Sequence, residues 1–191
     1  MPGPLDGYRI VDLTTMISGP MATCLLGDQG ADVIKVEAPG VGDLVRRLGQ
    51  PREGITATFA TSNRNKRSIV LDLKQQADLD VFHRLADTAD VVVQNFRPGV
   101  ADRMGIGAEA LRARKPELVY VSISGFGEQG PYAGKRVYDP VIQALSGLAT
   151  IQGDRGRGRP RMLRVVIPDK VTAITAAQAI TAALLARERT G

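Results

Sequence analysis

One cysteine, one histidine and no tryptophan occur among the 191 residues, and the first two scarcities each close off a class of chemistry. Cys24 alone cannot build a disulfide framework, and its neighbours Leu25 and Leu26 indicate a buried, inert thiol suited to a reducing cytoplasm. His83 alone, inside a charged and apolar helical stretch, leaves no basis for a Ser-His-Asp site or a histidine-rich metal site. A metal would have to rest on carboxylates, and no Asp/Glu grouping has a suitable loop spacing. His83 is therefore read as a surface or packing residue. The longest uncharged run lies between Lys170 and Arg187, is short for a bilayer span and carries Thr172, Thr175, Gln178 and Thr181. It reads as a buried helix. The first residues lack the basic-then-apolar order of a signal peptide, so export is not indicated and a cytoplasmic location is expected.

What is present points to one globular α/β unit. The chain is 43% hydrophobic and 24% charged, within the range where a single core buries most of the surface. Short β-branched runs at 9–13, 33–37, 68–71, 91–94 and 119–124 read as strands. Ser18-Gly19-Pro20 opens a helix that Gly27 or Gly30 ends, and Leu79, Phe82 and Ala86 recur at helical spacing over 74–86. Further helices are expected from Asp139 and after Pro168, beyond a Gly/Pro loop at 125–134. Strands alternating with helices imply a doubly wound α/β fold, with a mainly parallel, Rossmann-like sheet covered on both faces.

A net charge of +5 favours an anionic partner without choosing among phosphate esters, nucleic acid and anionic lipid. The Gly/Arg loop at 153–160 has no neighbouring aromatics and reads as a solvated turn rather than an RNA-binding segment. Gly125-Phe-Gly-Glu-Gln-Gly130 has dinucleotide-binding spacing, but Pro131 and Tyr132 stand where the helix should open, and no acid closes a second strand about 20 residues on. An active-site loop fits better. Basic residues cluster around the strands: Arg64, Lys66, Arg67, Lys74, Arg97, Arg103, Lys135 and Arg136. Several are expected near strand ends, where open α/β sheets bind ligands, so a phosphate-rich ligand is a reasonable inference.

With histidine and cysteine set aside, covalent chemistry would need a carboxylate, a lysine or a hydroxyl. Asp169 ends an apolar run and begins the last helix, which is also the place of an N-cap. The two readings are compatible, because helix N-terminal amides could hold an oxyanion formed when a carboxylate attacks.

From Pro4 to Gly191 the sequence resembles the family III (CaiB/BaiF) coenzyme A-transferases. The likeness rests on successive segments: Pro-Leu-Asp-Gly-Tyr-Arg-Ile-Val-Asp-Leu-Thr, Gly-Ala-Asp-Val-Ile-Lys-Val-Glu37, Asn65-Lys-Arg-Ser-Ile-Val-Leu-Asp-Leu-Lys74 and Asn95-Phe-Arg-Pro-Gly99. Ser-Ile-Ser-Gly-Phe-Gly, Tyr138-Asp139 and the closing Arg-Glu-Arg-Thr-Gly191 continue the series. The resemblance implies transfer of CoA from an acyl-CoA to a free carboxylic acid, with Asp169 as nucleophile and neither a metal nor a prosthetic group. It places the CoA site at Ile17, Ser18, Leu71, Asp72, Leu73, Lys74, Asn95, Phe96, Arg97, Arg103, Arg136, Val137, Tyr138 and Asp139. Ala38 stands where family members often carry a basic residue for the adenosine phosphate. The related α-methylacyl-CoA racemases bear a histidine where this chain has Tyr138, which favours transfer over racemisation. A non-catalytic CoA- or nucleic-acid-binding module is the alternative from another class, and the retained Asp169 argues against it.

The resemblance further implies that residues 1–191 form the N-terminal part of a large CoA-binding domain. A small domain and a returning C-terminal segment would follow. The full-length protein is expected to be a homodimer, with acyl-CoA and an acid as partners and neither nucleic acid nor membrane.

Overall fold

The computed structural model describes residues 2–154, 156 and 158–191. Its centre is a parallel five-stranded sheet in the order β3-β2-β1-β4-β5. The strands are β1 (Arg9–Asp12), β2 (Asp32–Glu37), β3 (Lys66–Val70), β4 (Val91–Gln94) and β5 (Val119–Ser122). The chain builds β1 to β3 outward on one side, then returns to place β4 and β5 on the other. The fold is thus a doubly wound α/β sheet whose order reverses between β1 and β4, as the strand pattern implied.

Alternate side chains along each central strand point to opposite faces and sort into two cores. Ile10, Val33, Val91 and Val93 pack with Leu26 of α1 (Ser18–Asp28) and with Ala177, Ile180 and Leu184 of α8 (Ile167–Thr190). On the other face, Val11, Val36 and Val92 pack with Phe82 and Ala86 of α3 (Gln76–Asp87) and Leu111 of α5 (Ala108–Arg114). Because both faces are covered, β4 is buried along its whole length and reads as an unbroken apolar run closed by Gln94. The edge strand β3 is largely exposed and carries Arg67, a charge that discourages pairing with another chain.

Several boundaries differ from the sequence expectation. Lys74 lies outside α3, in a turn where its N–H donates to Asp72 Oδ1 at 3.2 Å. The short helices α2 (Ala57–Asn63), α4 (Val100–Arg103), α5 and α7 (Leu148–Ile151) were not anticipated, since one or two turns display too little periodicity. α6 (Asp139–Leu145) begins where expected. The run from Lys170 to Arg187 is helical but not wholly buried: Ala173, Ala177, Ile180 and Leu184 face the core, while Val171, Ile174 and Leu185 are more than half exposed.

Other readings agree with the structure. Cys24 is buried, with Sγ 3.7 Å from the carbonyls of Thr61 and Arg64, and burial pushes its thiol pKa up. His83 packs beside Phe82, with Nε2 3.1 Å from the Gly105 carbonyl. It lies on α3, across the sheet from α8. The Gly125–Gly130 segment forms bends after β5 and opens no helix. In the 153–160 loop, Asp154 and Arg159 form an isolated bridge, while Arg155 and Arg157 lie outside the described residues.

Close approach between β1 and α1 depends on Gly19. A Cβ there would lie 2.4 Å from Thr14 Cβ and Cγ2, inside contact distance. Gly19→Ala is expected to lower unfolding stability by about 1–3 kcal/mol through overpacking. An unchanged denaturant midpoint would show that the helix shifts at no cost.

Candidate active site

The loops leaving the C-terminal ends of β1 and β4 meet at the order reversal, the crevice where open α/β sheets bind ligands. Asn95, the residue after β4, ties them together. Its Nδ2 donates to the Thr15 carbonyl at 2.8 Å, and its Oδ1 accepts the Thr15 N–H at 3.0 Å. Ile17 and Ser18 follow, half-buried at the start of α1, which packs along α8.

Asp169 stands in the first turn of α8, but it is not the N-cap. Val166 holds that position, and no side chain caps the helix. The capping reading is therefore overturned, because the helix begins at Ile167, ahead of Pro168 rather than after it. The Asp169 N–H instead donates at 3.1 Å to Oδ2 of Asp139, which is buried at the start of α6. Burial raises the Asp169 pKa above the usual carboxylate value, the negative charge of Asp139 raises it further, and the Ser18 hydroxyl opposes both. α1, α6 and α8 thus place a desolvated carboxyl at a helix N-terminus, where the macrodipole favours developing negative charge.

Asp139 is itself anchored. Gln143, one helical turn on and also buried, donates to Asp139 Oδ1, while its Oε1 accepts the Leu163 N–H at 2.8 Å. These bonds tie the segment leading into α8 to α6. Asp139, which the resemblance assigns to the CoA site, hydrogen-bonds Gln143 and the Asp169 backbone.

The remaining expected ligand residues divide by environment. Leu71 is a core side chain, and Leu73 and Phe96 pack against that core. Lys74, Arg97, Arg103 and Arg136 are exposed around the sheet's C-terminal edge and the loop before α6. Among the described residues none of these four has an ion-pair partner. Asp72 and Val137 are half-buried, whereas Tyr138 is 62% exposed. Val137 packs so closely on Gly125 that a Cβ there would lie 2.0 Å from Val137 Cγ2. Lys135 sits 4.0 Å over the Tyr132 ring.

The other three basic residues of the cluster serve a different purpose. Arg64 pairs with Asp28 and Arg67 with Asp32, at the start of β2, while the Lys66 ammonium is turned inward onto Asp12 at the end of β1. Lys66 is buried, and its Nζ also donates to the Pro20 carbonyl at 2.7 Å and to Asn63 Oδ1 at 2.8 Å. The acid ending β2, Glu37, is also engaged. It accepts a bidentate fork from Arg46 at 2.7 Å per bond, the Ser68 hydroxyl and the Asp43 N–H. These partners pull its pKa down to about 2 against the opposing effect of burial. An acid so held is not free to bind a ribose, as the acid ending this strand does in dinucleotide folds.

Sequence reasoning missed Asp12, Lys35 and Asp43, all fully buried and mutually close. The available signal was Lys35 within the apolar run of β2, since a charge in a doubly covered strand requires a partner.

Fold and site together define a doubly wound α/β protein with exposed cationic side chains beyond the C-terminal ends of its strands and a half-buried carboxyl in the first turn of a long helix. A profile of CoA-transferase family III matches residues 5–191, and the chain belongs to that family. It is 43% identical over 189 residues to the succinyl-CoA:glutarate CoA-transferase of Mus musculus, covering 98% of this chain and 43% of that protein. It is 44% identical over 188 residues to the formyl-CoA:oxalate CoA-transferase of Rhodopseudomonas palustris, covering 98% and 44%. A CaiB/BaiF family protein from Brucella suis superposes with a TM-score of 0.94 at 40% identity, covering all of this chain and 51% of that one. The chain thus spans about half the length of the relatives it matches.

Proposed function

We propose that this protein moves CoA from an acyl-CoA to a free carboxylic acid, using Asp169 as a covalent carboxylate. The observation carrying this reading is the placement of Asp169: half-buried on a helix N-terminus, beside the crevice where the loops of β1 and β4 are locked by Asn95. The Asp169 carboxylate attacks the thioester carbonyl, the C–S bond breaks, and a mixed anhydride and CoA thiolate form. The thiolate then attacks the aspartyl carbonyl, giving an aspartyl-CoA thioester and releasing the first acid. A second carboxylate attacks that thioester, and the freed thiolate takes the new acyl group, regenerating Asp169. One thioester replaces another, so catalysis rests on alignment and on stabilising the oxyanions. Lys74, Arg97, Arg103 and Arg136 are assigned to the phosphate-rich end of CoA, and Ile17, Ser18 and Asn95 to the part near the reacting carbonyl.

Tyr138 separates this reading from racemisation. Proton transfer at an α-carbon calls for a group that titrates near neutrality, and the chain's one histidine is across the sheet. We further propose that turnover requires the length of the relatives, that the longer form is a cytoplasmic homodimer, and that the added segment encloses the site against water.

The test offers acyl-CoAs and free acids, in deuterated water, to this chain and to a form carried to the relatives' length. Mass spectrometry follows exchange. Exchange by the longer form is expected, with hydroxylamine-sensitive labelling at Asp169, little turnover by the 191-residue chain and no α-deuteration. α-Deuteration without exchange would establish racemisation instead, and equal turnover by both forms would show that the shorter one is a complete catalytic unit.

A further inference from the structure

The segment Thr14–Met16, between β1 and the residues facing Asp169, is held by side chains at nearly every backbone polar group. The Thr14 N–H donates to Asp12 Oδ1 at 2.8 Å, and the Thr14 carbonyl accepts Lys35 Nζ at 2.7 Å. Asn95 takes both the N–H and the carbonyl of Thr15. The Met16 N–H donates to Asp43 Oδ1 at 3.0 Å. Met16 has φ +71°, a left-handed conformation disfavoured for a side chain of this kind. Such a conformation persists only where its surroundings over-determine it, and here five consecutive backbone groups are fixed.

Asp43 is fully buried and reaches this segment from a distant loop. Its Oδ1 also accepts the Val45 N–H at 3.1 Å. Its Oδ2 has no aligned hydrogen-bond donor; compensation comes from the charge of Lys35 Nζ, 2.9 Å away and equally buried. An arrangement of this expense within two residues of Ile17 and Ser18 calls for more than local packing.

We propose that Asp43, held in place by Lys35, is a positioning residue for the reactive carboxylate: by accepting the Met16 N–H it fixes the left-handed turn that sets Ser18 against Asp169. The inference rests on the reading of Asp169 as the reactive group. It assigns the charge of Lys35 to neutralising Asp43, and the oxygen of Asp43 to geometry.

Two double variants separate charge from geometry. Lys35→Met/Asp43→Asn removes both buried charges and keeps an oxygen for the Met16 N–H, whereas Lys35→Met/Asp43→Leu removes the charges and the acceptor. The groups facing Asp169 are Asp139 from α6 and Ser18 from α1, and neither is altered. In the full-length protein, carbon NMR of labelled aspartate reads the Asp169 titration without turnover, and stopped exchange assays read kcat. The leucine double is expected to raise the Asp169 midpoint toward that of Ser18→Ala and to lower kcat by about 10–100-fold relative to the asparagine double. Equal midpoints and rates for the two doubles would reduce Asp43 to a structural residue and overturn the proposal. Should the leucine double fail to fold, Ser18→Ala alone decides, because an unmoved Asp169 midpoint there would sever the link between turn and carboxylate. Absence of exchange in the wild type with the expected titration shifts would refute the functional reading, and the proposal with it, while equal midpoints beside normal exchange would overturn the proposal alone.

Discussion

Asp169→Asn is expected to reduce acyl exchange by about a thousandfold or more, as removal of a covalent nucleophile does, while the folded protein becomes more stable at neutral pH. The amide keeps the shape of the carboxyl and loses its charge. That charge is disfavoured in the fold, first by burial and then by Asp139, so the Asp169 pKa is raised above its unfolded value. The sign follows from linkage. A group with a raised folded pKa favours folding in its protonated form, and this contribution disappears as pH rises through the folded pKa. At pH 7 the wild-type protein therefore carries an unfavourable charge that asparagine lacks. The stability advantage of the variant should shrink on acidification, as Asp169 itself becomes neutral. Exchange assays and thermal melts at neutral and acidic pH check both halves. Retained activity would remove Asp169 from the chemistry, and a lower neutral melting point would contradict the electrostatic account.

The second large effect is on stability. Asp12 sits fully buried at the end of β1 and accepts from Thr14 N–H and Oγ1 through one oxygen, and from Thr23 Oγ1 and Lys66 Nζ through the other. Burial works to raise its pKa, but the charges of Lys35 and Lys66 and the Thr14 hydroxyl outweigh it and hold the carboxyl well below the usual range. Asp12→Ala strands the buried Lys66 ammonium and several donors, while Lys35 keeps Asp43, so it should cost about 3–5 kcal/mol, within a total of about 5–15 kcal/mol for a domain. The melting midpoint should fall by about 6–20 °C. Because its folded pKa is depressed, Asp12 contributes stability above the unfolded carboxylate pKa that is lost as pH falls through the folded one. The wild type should accordingly weaken in acid more steeply than Asp12→Ala, with Glu37 adding to the loss between its ordinary value of 4.5 and about 2. A loss below about 1 kcal/mol would place the network among groups that are satisfied but not stabilising.

Much of the framework was legible because it is locally encoded. Each β-branched run announced a strand, since such side chains suit a pleated surface, and alternation with helical spacing required a parallel sheet covered on both faces. Short helices escaped, and the last long helix was read as buried although Val171 and Ile174 face outward. Elimination left a carboxylate, a lysine or a hydroxyl, and the resemblance pointed to Asp169; its N-cap reading was wrong because the helix start depends on what packs against it.

By itself, then, the sequence determined the element types, the two-sided sheet, the burial of Cys24 and the packing role of His83. Only the tertiary structure decided which charges are available to a ligand. Lys66 and Arg67 look like Lys74 and Arg97 in one dimension, yet the former meet Asp12 and Asp32, while the latter have no ion-pair partner among the described residues. The same holds for Asp139 beneath Asp169, 30 residues away in the chain, and for Asp43 at Met16, 27 residues away. Periodicity and β-propensity act among near neighbours and leave a pattern along the chain. The partner of a buried charge is set by which segments the sheet order brings together, and that order becomes visible only when the strands are paired.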